Sequence, residues 1–463
     1  MFHLTRRARI LKRRKRRAPS GWRQALTNLT VVLALFIGGL QGLQAAPSNA
    51  LADYVARPDD SFAWKEVGQK QADDITIQRL EYTSQTWRSH PWRHQMLVVR
   101  PRDVRNPDIA FFLVTGDNNL DKQVGLLRTL ALRAGAVAAV INKVPNQPLY
   151  GGRKEDALVA YTFEQYVNSG DATWPLLFPM VKSAIRGMDA LQAVAQKEFG
   201  QRLERFVVSG ASKRGWTTWL TAAADPRVAA IAPMVIDTLN MKVQTQWAAQ
   251  MYGRQSEKIK DYTQRHLTER QDDPRVVELR GWVDPYSYRT GYTLPKLLLL
   301  GTNDRYWVVD SLRNYWDGLP GPKLVFQTPN AGHDLAGGRE ARPTLAAFFQ
   351  MVADRQPLPQ MSWEFKTNSA GSVSLEVAVN PPAKTFRLWT ANSADRDFRG
   401  DRWSSVSLPC NPGSHVLAKV NTPEKGFRAF MVEAEVTAAT GETYKLSTEA
   451  RVTPDGPPAP KRQ

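Results

Sequence analysis

Ser212 stands in Gly210-Ala-Ser-Lys-Arg-Gly, directly after the apolar stretch Phe206-Val-Val and before Trp216-Thr-Thr-Trp-Leu-Thr-Ala-Ala-Ala. Strand, tight turn and helix in that order hold a serine hydroxyl at the carboxyl end of a sheet, beside the backbone N–H groups that open the helix. A hydroxyl is a poor nucleophile at neutral pH, so it needs a base within hydrogen-bond reach and a carboxylate to orient that base. His333, in Pro329-Asn-Ala-Gly-His-Asp, follows the apolar stretch Leu324-Val-Phe, where such a base belongs. Asp304 closes Leu297-Leu-Leu-Leu-Gly-Thr-Asn-Asp, just past another strand-like run. Ser212, Asp304 and His333 are therefore expected as nucleophile, orienting acid and base, each beyond the end of a separate strand. Asp237 and Asp310 are the reserve carboxylates. The pattern departs from Gly-x-Ser-x-Gly, because Arg214 stands where the second glycine is expected.

An acyl-transfer site also needs donors for the developing oxyanion. The backbone N–H of Lys213 is one candidate, and Gly116 or Asp117, after Ile109-Ala-Phe-Phe-Leu-Val, is the other. The Lys213 ammonium either curls over the site and adds charge, or lies at the surface. The remaining histidines have plainer readings: His90 and His94 flank Pro91-Trp92, which interrupts the helix a metal pair would need. His266 falls in the expected insertion, His415 in a second domain and His3 in the amino-terminal segment. Neither a metal nor a cofactor is expected. Trp174, Trp216, Trp282 and Trp307 are the candidate substrate-binding aromatics, although most aromatics of this region are expected to pack between core and insertion.

The elements that must position these groups are legible as two kinds of apolar pattern. Short alternating stretches from Ala63 to Val99 read as antiparallel strands. Near-continuous apolar runs at 109–114, 137–141, 206–208, 228–235, 297–300 and 324–326 read as strands buried on both faces, with helical patterns at 120–134, 179–199 and 340–353 between them. Strand and helix alternate as in an α/β core with a parallel sheet. A cap is expected as an insertion over about 239–295. Past Gln356-Pro-Leu-Pro, alternating stretches over 358–453 read as an all-β, immunoglobulin-like sandwich. The proline-rich tail, 454–463, is expected to be disordered. The core domain then spans 47–357.

Composition narrows the class of function. Of the 62 basic residues, ten lie within the first 25 positions, and removing them takes the net charge from +18 to +8. A basic start, the apolar run Leu29-Thr-Val-Val-Leu-Ala-Leu-Phe-Ile-Gly-Gly-Leu and small residues near Ala45 form the grammar of a signal peptide over 1–46. Export to the periplasm or the extracellular space follows, with a membrane contact only through an uncleaved signal. The basicity thus serves translocation, and no nucleic-acid partner is expected; the residual +8 favours contact with anionic envelope material. A single cysteine, Cys410, excludes an intramolecular disulfide.

The chain order Ser, Asp, His is that of α/β-hydrolases. Six stretches carry a more specific resemblance: Leu51-Ala-Asp-Tyr-Val-Ala-Arg-Pro-Asp, Ser84-Gln-Thr-Trp-Arg, Thr173-Trp-Pro-Leu-Leu-Phe-Pro-Met, Gly210-Ala-Ser-Lys-Arg-Gly-Trp-Thr-Thr-Trp-Leu, Asp284-Pro-Tyr-Ser-Tyr-Arg and Pro329-Asn-Ala-Gly-His. Through them the chain resembles the PhoPQ-activated pathogenicity-related proteins, a bacterial family of α/β-hydrolase type. Where that family commonly follows the acid with Glu, this chain has Arg305. The resemblance implies an exported, cofactor-free α/β-hydrolase fold with an inserted cap. A looser similarity of Gly-x-Ser-Lys-x-Gly to the glucuronoyl esterase elbow implies carbohydrate esters. The expected function is a serine esterase working through an acyl-enzyme on a small-molecule or polymer ester. The alternative is an envelope protein that keeps the fold and works by binding, for example in resistance to cationic antimicrobial peptides.

Overall fold

Strands β1 (Ala63–Gln71), β2 (Ile75–Trp87) and β3 (His90–Pro101) pair antiparallel along one side of a nine-stranded sheet. This computed structural model describes residues 49–368, 371–409, 415–438 and 440–458, and all those from Ala50 onward belong to a single unit. The segment read as a signal peptide, 1–46, lies outside the described residues. A short helix, α1 (Ala50–Ala56), precedes β1.

The sheet continues with β4 (Ile109–Val114), β5 (Val137–Ile141), β6 (Arg205–Ala211), β7 (Val228–Met234), β8 (Lys296–Gly301) and β9 (Lys323–Thr328), in the spatial order β1-β2-β3-β5-β4-β6-β7-β8-β9. β5 meets β3 antiparallel, and every pair from β5 to β9 is parallel. All of β4 and β5 is buried because both faces are covered. Ala110, Phe112 and Val114 pack into one cluster with α4 (Leu177–Phe199) and α5 (Lys213–Ala224). Ile109, Phe111 and Leu113 pack into the other with α2 (Val124–Ala134) and α9 (Ala341–Ala353). Gly135, at φ 56°, closes α2 and turns the chain into β5, a conformation glycine reaches without a side-chain clash. The run expected as one helix from 120 is a 3-10 turn over Leu120–Gln123 followed by α2. α3 (Glu155–Ser169) lies between β5 and α4 in the chain.

Between β7 and β8 the chain leaves the sheet for α6 (Met241–Tyr252), α7 (Lys260–Thr263), α8 (Pro274–Val283) and a 3-10 segment, Pro285–Gly291. Asp273 caps α8 through the N–H groups of Arg275 and Val276. Asp284 ties the two ends of this excursion together, accepting from the N–H groups of Asn240, Met241 and Tyr286. Burial raises its pKa to about 6 despite those three donors.

Beyond α9 the described strands form two antiparallel sheets. One contains β10 (Gln360–Thr367), β11 (Val373–Asn380) and β14 (His415–Val420). The other runs β13 (Ser404–Leu408), β12 (Ala383–Ser393), β15 (Phe427–Thr437), β16 (Thr443–Ser447), with β17 (Arg451–Thr453) also on β15. Their inner residues, such as Val377, Phe430 and Val432, belong to the same apolar cluster as α2 and α9. The carboxy-terminal sheets therefore share a core with the α/β part. The tail expected to be disordered from Pro454 is described to residue 458, and Asp455 accepts from Arg313 Nη1 at 2.8 Å; that pairing is the physical reason it follows the surface here.

Candidate active site

Ser212 takes φ 58° and ψ −122°, a left-handed corner that a non-glycine residue occupies only when its surroundings impose it. Two backbone bonds impose it here: Ser212 N–H donates to Met234 O at 2.9 Å, and Trp216 N–H donates to Ser212 O at 2.9 Å. The corner needs close packing on both sides. A Cβ on Gly210 would lie 2.6 Å from Arg214 O, and one on Gly215 would lie 2.8 Å from Met234 O. The glycine three positions after the serine, not two, is thus the one that lets α5 approach β7. Arg214 fits because its guanidinium leaves the turn, lies against Gly116, and pairs with Glu155 through two bonds of 2.7 Å while its Nε donates to Val144 O.

Asp304 and His333 lie beyond the ends of β8 and β9. His333 Nδ1 is 2.7 Å from Asp304 Oδ2, and the other carboxylate oxygen accepts from Tyr306 N–H at 3.0 Å. Asp304 is 4% exposed and the His333 side chain 30% exposed. A carboxylate at Nδ1 places the ring proton there and leaves Nε2 as the acceptor. Nε2 is buried and has no hydrogen-bond partner among the described residues, so the contact to Ser212 Oγ is not closed in this conformation. The reserve carboxylates are engaged elsewhere: Asp237 accepts from Tyr315 Oη at 2.6 Å, and Asp310 pairs with Arg396.

The turns carrying Asp304 and His333 are braced from the carboxy-terminal part of the chain. Asn303 Nδ2 donates to Phe398 O at 3.1 Å and Asp401 O at 2.7 Å. Asn330 Nδ2 donates to Trp403 O at 3.0 Å, and Trp403 N–H donates to Asn330 Oδ1 at 2.8 Å. Asn303 directly precedes Asp304 and Asn330 lies three residues before His333, yet nothing in their spacing announces partners about 70 to 100 positions away.

Lys213 is neither a surface lysine nor a free charge over the site. Its ammonium is 2.9 Å from Asp156 and 3.3 Å from Glu155. Burial opposes ionisation of Glu155, but the hydrogen bonds and charge of Arg214, helped by Lys213, outweigh it and lower its pKa to about 2. Asp156 also accepts from Tyr262 Oη at 3.1 Å and Tyr306 Oη at 3.2 Å. Tyr306 in turn stacks on His333, with ring centroids 4.3 Å apart. The acid pair Glu155-Asp156 is the part sequence reading missed; two acids opening a helix, against the basic pair Lys213-Arg214, were the available signal. Gly116 and Asp117 follow β4, whose last residue Val114 pairs with Gly210 of β6, so these candidate oxyanion donors and Lys213 end adjacent parallel strands.

A cavity opens beside Ser212 and Lys213, and Trp216, Tyr306 and Trp307 contribute to its wall. Trp216 Nε1 donates to Val283 O at 2.5 Å, fixing α5 to the inserted segment. The other two tryptophans are corrected by their packing. Trp282 is buried against Tyr166 and Phe178. Trp174 packs edge-to-face against Trp87 and Tyr161 and tilted against Tyr150, under the Arg88 guanidinium. Neither forms part of the cavity wall, because each is consumed in joining elements. His94 is likewise structural: it contacts Ser84 Oγ at 3.0 Å and Asn142 O at 2.9 Å, and burial lowers its pKa to about 4.

Comparison with known proteins places these features in context. The family model described as PhoPQ-activated pathogenicity-related protein matches residues 51–399. Autocrine proliferation repressor protein A of Dictyostelium discoideum is 31% identical over 452 residues, covering 88% of this chain and 91% of its own. Among solved structures, acetyl xylan esterase 1 from Thermoanaerobacterium sp. JW/SL YS485 is 16% identical with a TM-score of 0.47, over 67% of this chain and 96% of its own. A glucuronoyl esterase from Solibacter usitatus is 12% identical with a TM-score of 0.41, over 67% of this chain and 92% of its own.

Proposed function

The chain belongs to the family of PhoPQ-activated pathogenicity-related proteins, and we propose that it is an exported serine esterase of α/β-hydrolase type. The observation that carries this reading is the orientation of His333: Nδ1 is held by the buried carboxylate of Asp304, which leaves Nε2 as the basic nitrogen. The strained corner at Ser212 supports the same reading, since strain of this kind is retained at reacting positions.

In the proposed cycle Ser212 Oγ attacks the ester carbonyl carbon as its proton passes to His333 Nε2, while Asp304 steadies the resulting imidazolium. The carbonyl oxygen, now carrying the negative charge, takes hydrogen bonds from Lys213 N–H and from Gly116 or Asp117 N–H. Collapse expels the alkoxide, which takes the proton from His333, and an acyl-enzyme remains. Water then repeats the sequence, with His333 as its base, and frees the acid. The cycle needs no cofactor or metal. Export through the segment 1–46 would bring the site to ester-bearing envelope or carbohydrate material.

The strand order from β3 to β9, with the nucleophile after β6, supports the hydrolase-type assignment. The three-stranded sheet β10-β11-β14 facing β13-β12-β15-β16 supports an immunoglobulin-like sandwich over 358–453. The open Ser212 to His333 contact favours the second reading, a fold retained for binding at the envelope. A fluorophosphonate probe separates the two. Labelling of folded wild-type protein, lost in Ser212→Ala, is expected; a folded protein that takes no label overturns the esterase reading.

A further inference from the structure

The cavity beside Ser212 has a volume of about 160 Å³ and a mainly apolar wall, to which Phe163, Trp216, Ile236, Val276, Leu279 and Val283 contribute. An apolar cavity of roughly 150 Å³ is large enough to take up benzene. The Lys213 ammonium and the Asp156 carboxylate at its border are already paired within the protein. Lys213 is paired with Asp156 and Glu155, Asp156 receives two tyrosine hydroxyls, and Arg280 Nη1 donates to both oxygens of Gln271, O and Oε1. A hydroxylated ring entering this space would surrender water for few partners on a mainly apolar wall, whereas a hydrocarbon group loses nothing by doing so.

The position of the cavity says which half of an ester fills it. A leaving alkoxide has to reach His333 to take its proton. The cavity wall contains Ser212 and Lys213, whose N–H is the proposed oxyanion donor, but it meets His333 only through the stacked ring of Tyr306. Resting on the esterase reading above, we propose that this cavity is the acyl pocket, and that it selects an uncharged apolar acyl group of about six to eight carbons, such as hexanoyl or phenylacetyl, over acetyl. The substrate class is then esters of medium-chain or aryl acids.

The test uses the full chain with p-nitrophenyl acetate, butyrate, hexanoate, dodecanoate and phenylacetate. The ratio kcat/KM is expected to rise about tenfold or more from acetate to hexanoate and to fall at dodecanoate. Met241→Trp and, independently, Thr268→Phe place bulk on the cavity wall and are expected to lower the hexanoate-to-acetate ratio at least about fivefold. A flat series, or one led by acetate, in protein whose Ser212 takes the fluorophosphonate overturns the pocket assignment and leaves the esterase reading standing. If no label and no hydrolysis are seen, the esterase reading fails, and the cavity is read by calorimetric titration of Ser212→Ala with hexanamide. Binding that Met241→Trp weakens supports an apolar six-carbon site; absence of binding overturns it.

Discussion

Arg396 and Asp310 form an ion pair in which neither side chain retains any exposure, with Arg396 Nη2 2.8 Å from Asp310 Oδ2. Asp310 lies six residues after Asp304, and Arg396 lies in the connection between β12 and β13, so the pair pins the carboxy-terminal sheets to the segment that carries the acid of the site. Removing Arg396 leaves the buried Asp310 carboxylate with only Arg313 Nη1 at 3.5 Å and Trp247 Nε1 at 3.1 Å in place of its closest cation. Arg396→Met is therefore expected to lower unfolding free energy by about 3–5 kcal/mol in urea titration. Arg396→Met combined with Asp310→Leu is expected to lose less than the single variant. A single variant as stable as the parent would show that the pair contributes nothing.

The same connection braces the turns of Asp304 and His333 through Asn303 and Asn330. Asn330→Ala and Asn303→Ala free the turns that hold His333 and Asp304 without touching substrate. Each is expected to lower kcat by about tenfold or more with KM nearly constant, because misplacement of the base is felt in the reacting geometry. Ester hydrolysis at saturating substrate measures it, and an effect confined to KM would contradict the bracing role.

Asp304→Asn keeps the shape of the acid but offers an amide to His333 Nδ1, favouring the tautomer with its proton on Nε2. The expected loss is on the order of 10⁴ in kcat, with fluorophosphonate labelling of Ser212 slowed in step. Labelling at the parent rate would remove Asp304 from the mechanism.

Asp237 supplies a pH dependence. Burial, reinforced by the charges of Asp304, Asp310 and Glu449, raises its pKa from 3.8 to about 7, although the Tyr315 hydroxyl pulls it down. The folded form thus holds a proton that the unfolded chain releases near pH 4. Its contribution is fully present below that point and is lost as pH rises toward 7. Asp237→Asn stays neutral throughout, so its stability relative to the parent is expected to rise between pH 4 and pH 7 by at most about 4 kcal/mol, read from urea midpoints across that range. A constant difference between the two proteins would mean that Asp237 ionises as an ordinary carboxylate.

The sequence alone determined the parallel strands and the inserted helices after β7, and it singled out Ser212, Asp304 and His333 as the candidates, because apolar runs, turn residues and the order of reactive side chains are properties of neighbouring positions. Tertiary structure decided the rest. It took Trp174 and Trp282 away from the site and spent them on packing, which no local pattern distinguishes from stacking on a ligand. It put Lys213 on Asp156 and Glu155, and Arg214 across Gly116, since charge pairing depends on which strands become adjacent. It also made the carboxy-terminal sheets a support for the acid and base turns, through asparagines whose partners are far along the chain and meet them only when the two cores close into one.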